Sequence, residues 1–190
     1  MRLSLYEVFG GHGEGCLPPG DTLLGDRVVY DVGRGDAHVG DVVHDGHVLV
    51  WQLEESEQGG EGALLSHAVE LDPAADWIAR CDRIDFPPGG VAYTHTHPGP
   101  GIRYLLHGEL EIRTGGRSVT HGPGGAWFES GLEPVYAAAA TDGETAFVRV
   151  LLLPAVWAGK RTIRYIDPAD EDRPKLQRPT VFFDHPLPLR

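Results

Sequence analysis

Short apolar runs recur along this chain about every 8–12 residues, each closed by Gly, Pro or Asp. They predict eight strands, at 79–86, 91–97, 102–106, 110–114, 117–120, 126–129, 135–140 and 146–153. Thr114-Gly115-Gly116-Arg117 predicts a tight hairpin, because glycine accepts the positive φ of such turns. His44-Asp45-Gly46-His47 reads as a hairpin tip between the runs 41–43 and 48–53. The run Val48–Leu53 reads as an edge strand and residues 54–62 as an exposed loop. Helical periodicity is absent. Asp72-Pro73 and Asp167-Pro168 support a turn or two at most, with the aspartate as cap. Eight short strands at this spacing predict a barrel or jelly roll.

Composition narrows the class. The chain has 190 residues, 41% of them hydrophobic, enough for one packed domain. Two cysteines, Cys16 and Cys81, exclude a disulfide scaffold and a four-cysteine zinc site, and read as reduced thiols of a cytoplasmic protein. No apolar stretch reaches the length of a membrane span, and the N-terminus lacks a secretory pattern. A net charge of −12 disfavours nucleic acid and anionic membranes as partners. Most of that charge lies in residues 1–70, which hold thirteen acids and three arginines and read as a solvated acidic face. Only Lys160 and Lys175 among the sixteen bases are lysines, a bias to which the sequence attaches no function.

The candidate chemistry lies in the stretch 88–110. His95 and His97 are two apart on a predicted strand, so both imidazoles point to one face. On an interior face they would converge on one spot, and neutral imidazole is a good ligand for iron, nickel and zinc.

The surrounding spacing resembles the first motif of the cupin superfamily: Gly89, five residues, His95-Thr96-His97, then Gly108 closing the frame. Pro123-Gly124 and Ala126-Trp127-Phe128-Glu129 resemble the start of the second motif. The resemblance covers about residues 75–155. It implies an all-β, cupin-type double-stranded β-helix, with residues 1–70 as an N-terminal β extension, 71–155 as the barrel and 156–190 as a wrapping tail. Cupins commonly hold a metal with three histidines and a glutamate. Here the glutamate position is Gly101, and the third-histidine position falls on Val135.

Three readings follow. A substitute carboxylate, Glu129, completes a divalent-metal site (Fe, Ni, Mn or Zn) with His95 and His97; or the site is metal-free and the histidines act as acid/base groups; or the barrel binds a ligand without catalysis. The leading expectation is a small-molecule enzyme of the dioxygenase, isomerase, cyclase or lyase class. Its catalytic residues would be His95, His97, Arg103 and Glu129, with Gly101, Tyr93, Trp127 and Val135 lining the substrate pocket. Alternation places Arg103 on the face of Gly101, where it pairs with Glu129 or grips an anionic substrate. The glycine at 101 is expected to leave a gap that a substrate group or water fills. His67, His107 and His121 are further ligand candidates, the first-third cluster His38, His44 and His47 fits solvated turns, and Pro18-Pro19 argues against a dinucleotide turn at Gly11–Gly15. A homodimer through the Val48–Leu53 edge is also expected.

Overall fold

Alternation along the central strands decides the architecture, because two of them must bury both faces. In the computed structural model, which describes residues 1–10, 27–40, 46–55 and 60–189, β6 (Trp77–Phe86) and β13 (Thr145–Pro154) pair antiparallel over ten residues. Their odd and even positions face two different layers. Ala79, Cys81, Val148, Val150 and Leu152 pack on one side, while Ile84, Phe86 and Phe147 pack on the other. The nearly unbroken apolar run Ala146–Leu153 is the sequence counterpart of this two-sided burial.

Three five-stranded sheets result. The middle sheet runs β11 (Ala126–Glu129), β8 (Gly101–His107), β13, β6 and β15 (Arg178–Leu187). The far sheet runs β10 (Arg117–His121), β9 (Leu110–Thr114), β12 (Val135–Ala139), β7 (Val91–Thr96) and β14 (Arg164–Tyr165). Middle and far sheets face each other as a jelly roll, and the eight expected strands fall within a few residues of β6 to β13. The Gly115-Gly116 turn has the positive φ foreseen at both positions. The expected turns at Asp72 and Asp167 are present too: Asp72 Oδ1 accepts from Ala74 N, and Asp167 Oδ1 accepts from Ala169 N at the head of a 3-10 turn, Pro168–Asp172.

The N-terminal sheet runs β3 (Asp36–Val39), β2 (Val28–Asp31), β4 (His47–Glu54), β1 (Arg2–Phe9) and β5 (Leu65–Ala68). It corrects two expectations. The run Val48–Leu53 is not an edge: β4 lies between β2 and β1, so the argument for a dimer through that edge falls away. Nor are residues 1–70 merely a solvated face. Leu3, Leu5, Tyr30, Leu49, Trp51 and Leu53 are fully buried against the outer side of the middle sheet, and the Trp51 indole donates to the Ile102 carbonyl at 3.2 Å. Each fully buried side chain of this size contributes about 1.5–3 kcal/mol, so the layer is held by its apolar face; of its acids, Glu54 is buried too, accepting from Ser4 and Tyr6. Cys81, on β6 of the middle sheet, is a buried free thiol in the core shared with this layer. The Gly11–Gly15 turn, Cys16, Pro18-Pro19, His44 and Asp45 lie outside the described residues. No helix among the described residues is long and apolar enough to cross a membrane.

Candidate functional site

Between the middle and far sheets lies a cavity of about 580 Å³. Its apolar part is built by Ile84, Phe86, Ile112, Trp127, Val135 and Phe147, all inward-facing positions of their strands. Its polar part gathers Asp82, His95, His97, Glu129 and Arg149. The C-terminal segment does more than wrap the barrel: residues 159–163, Tyr165, Lys175, Gln177, Pro179 and Val181 form one wall of the cavity.

His95 and His97 sit at the end of β7 and just beyond it, 4% and 1% exposed. Their Nε2 atoms are 3.2 Å apart. The Tyr93 carbonyl, 2.7 Å from His95 Nδ1, can only accept, so it holds the proton of neutral His95 on Nδ1 and leaves Nε2 as a lone pair. His97 Nε2 also lies 3.2 Å from Arg149 Nη1. Burial lowers the pKa of both imidazoles, His97 the more strongly; the Arg149 charge pushes each the same way, and for His97 that push ranks directly after burial. The pair is therefore neutral at physiological pH.

Arg149 and Asp82 form a buried pair: Nε donates to Oδ1 at 2.6 Å and Nη2 to Oδ2 at 3.1 Å. Three of the five guanidinium N–H groups are thus committed to Asp82 and His97, which leaves two uncommitted on a residue that lines the cavity. The sequence reading missed Arg149 and Asp82. The available signal was one arginine inside the apolar run 146–153; Asp82 carries no such signal, since its strand also holds Arg80, Arg83 and Asp85.

Of the expected residues, His95, His97, Glu129, Trp127 and Val135 line the cavity. Val135, at the third-histidine position of the resemblance, is in register with His95 on the adjacent strand. Trp127 points inward, whereas Phe128 points out and stacks on His67 at 3.6 Å. Three expectations are corrected. Arg103 does not line the cavity; it is fully buried behind Glu129, with Nη2 2.6 Å from Glu129 Oε2 and Nη1 donating to the Gly101 carbonyl at 2.6 Å. Burial lowers its pKa to about 10, which still leaves it charged. Gly101 leaves no gap, because a Cβ there would lie 2.4 Å from the Val150 carbonyl oxygen and 2.7 Å from Leu151 Cδ2. Tyr93 serves through its carbonyl, while its ring packs outside the cavity under Arg173, 4.9 Å away. His67, His107 and His121 are not in the cavity wall, and His38 pairs with Asp36 and His47 with Glu7 well away from it.

The donor set does not fit a divalent metal. Two imidazoles converge, but Glu129 Oε2 lies 4.0 Å from His97 Nε2 and is bound by Arg103, while Oε1 accepts from the Trp127 indole at 2.8 Å. The Arg149 guanidinium stands beside His97 Nε2, so a dication there would meet a fixed positive charge. Among the described residues no group of three or more His, Cys, Asp and Glu side chains is placed to hold a metal ion.

The antiparallel topology defines a jelly-roll protein, with the His-x-His strand in one of its two facing sheets. No family model matches the chain, and no curated protein matches it. Among solved structures it is similar to the polyketide cyclase RemF from Streptomyces resistomycificus, with 20% identity and a TM-score of 0.39 over 54% of this chain and 70% of that one. It is also similar to a cupin 2 conserved barrel domain protein from Leptotrichia buccalis, with 13% identity and a TM-score of 0.38 over 80% of this chain and 73% of that one.

Proposed function

We propose that the chain is a small-molecule enzyme that moves a proton within a substrate bound between the middle and far sheets, in the manner of an isomerase, cyclase or lyase. The observation that carries this reading is the 3.2 Å contact between two buried, neutral imidazoles beside a guanidinium with donors to spare. If His97 carries its proton on Nε2, it donates to His95 and Arg149 Nη1 loses that acceptor. If His97 carries it on Nδ1, Nε2 accepts from Arg149 and two lone pairs face each other. Only the second arrangement leaves a place for a proton taken from substrate, between the two nitrogens, where both hold it. A C–H next to a carbonyl would give its proton to this pair, its electrons would pass to the oxygen, and the free N–H groups of Arg149 would hold the enolate. Return of the proton to another atom completes an isomerisation; loss of a leaving group completes an elimination.

The test is proton exchange. A panel of carbonyl acids is incubated with the protein in D₂O, and loss of the α-proton signal is followed by NMR. Exchange of at least one member is expected, abolished in His95→Gln and His97→Gln and reduced at least 100-fold in Arg149→Gln. Exchange that survives the double histidine variant, or that needs an added metal, overturns the assignment.

A further inference from the structure

The chain carries a net charge of −12, yet the cavity wall has five bases, Arg80, Arg149, Lys160, Arg161 and Lys175, against two acids, Asp82 and Glu129. Most of these bases are matched. Arg80 is held by Asp184 at 2.6 and 2.7 Å, Arg149 by Asp82, and Arg161 by Glu171 at 3.1 Å. The two without a carboxylate within 4.0 Å among the described residues are Lys160 and Lys175, the only lysines in the sequence.

The two differ in what they can do. The Lys175 ammonium donates to the carbonyls of Asp170, Glu171 and Arg173, which uses its three N–H groups, and it lies 4.6 Å from the centre of the Tyr165 ring. It is a fixed charge at the cavity wall with no donor to offer. Lys160 is exposed, and its backbone is pinned, with N donating to the Trp157 carbonyl and O accepting from Arg80 Nη1 at 2.6 Å. Lys160 lines the cavity, and its ammonium has no hydrogen-bond or ion-pair partner among the described residues. The same cavity is lined by the two imidazoles and by Phe147, Trp127 and Phe86.

We infer that Lys160, in the field of Lys175, anchors an acidic group of a substrate whose hydrophobic body lies against Trp127 and Phe147: the ligand class is a hydrophobic anion, a carboxylate, sulfonate or phosphate on an apolar or aromatic skeleton. This inference rests on the reading of the cavity as the substrate site, and its test does not use the histidines.

The probes are 8-anilinonaphthalene-1-sulfonate and N-phenyl-1-naphthylamine, which share a skeleton and differ by the sulfonate. Fluorescence titrations at low salt should show the anion binding at least five-fold tighter, with the difference shrinking in 0.5 M salt. Lys160→Gln should bring the anion within about two-fold of the neutral probe and leave the neutral probe unchanged. Val181→Glu, which adds a carboxylate to the same wall at a half-exposed position, should weaken the anion alone. Arg117→Gln removes an exposed charge on β10 and should change neither probe. Both lysine and valine sites are exposed, so the variants should melt as the parent does. Equal affinity for the two probes in the parent protein, or an anion titration unmoved by Lys160→Gln and Val181→Glu, overturns the anion site. Because proton exchange reads the histidines separately, that result would leave the imidazole assignment standing.

Discussion

Arg149 and Asp82 face each other in register across β13 and β6, and two hydrogen bonds join them inside the barrel. Arg149 is also in register with Arg103 on its other side, so two guanidiniums lie side by side in one sheet, each with its own carboxylate. This arrangement lets the site hold two positive charges next to two imidazoles without a net excess of charge.

Removing one member of the pair should be costly. Asp82→Asn leaves Arg149 buried without its carboxylate, a change that typically destabilises by about 3–5 kcal/mol. Urea denaturation of this variant should show that loss, and the combined Asp82→Leu, Arg149→Met variant should recover most of it. A single variant as stable as the parent protein would mean that the pair is solvated or rearranged.

Stability should depend on pH through the imidazoles. The folded pKa values of His95 and His97 lie below the ordinary 6.5, chiefly because of burial. Below about pH 6.5 the unfolded chain binds protons that the folded chain refuses, so stability falls as pH drops from there towards the depressed folded values, and these groups add no dependence above it. The urea midpoint should therefore decline between pH 7 and pH 5, and less steeply in a His95→Asn, His97→Asn variant. His121, also lowered by burial, keeps part of the slope in both proteins. An unchanged slope in the double variant would count against neutral buried imidazoles.

Gly101 is required for close approach of two strands. Gly101→Ala should destabilise by about 1–3 kcal/mol, the usual penalty for overpacking, because its Cβ meets backbone that cannot rotate away. Gly101→Glu should be worse and gain no metal affinity. Thermal melts read beside metal titrations check both points, and a Gly101→Glu protein that folds normally and binds zinc would restore the expected gap at Gly101.

Metal content is expected to be substoichiometric. Elemental analysis of purified protein should find well under one equivalent of any transition metal, and a chelator should leave the melting temperature unchanged. One tightly held equivalent whose removal lowers the melting temperature would show that Arg149 moves aside to complete a metal site.

The strands of the jelly roll were readable from the chain because each is a local pattern, a short apolar run closed by Gly, Pro or Asp. The His95-Thr96-His97 pair was readable for the same reason, since two positions on one strand share a face whatever lies opposite. The middle place of β4 was not readable, because an apolar run looks alike at an edge and in the interior until its partners are known. Gly101 was misread as a gap because its neighbours come from β13, fifty residues on, and only their approach shows that no side chain fits. Arg149 and Lys160 lie more than fifty residues beyond the histidine pair, and Asp82 lies on the strand before it. They share a cavity with the imidazoles because β6 and β13 pair over their full length and because the tail returns along the sheet edges to wall it. Local apolar runs and turn chemistry thus determined the strands, and alternation the face of the histidine pair; the partners of that pair, and the charge around it, were decided by long-range strand pairing, which no local pattern encodes.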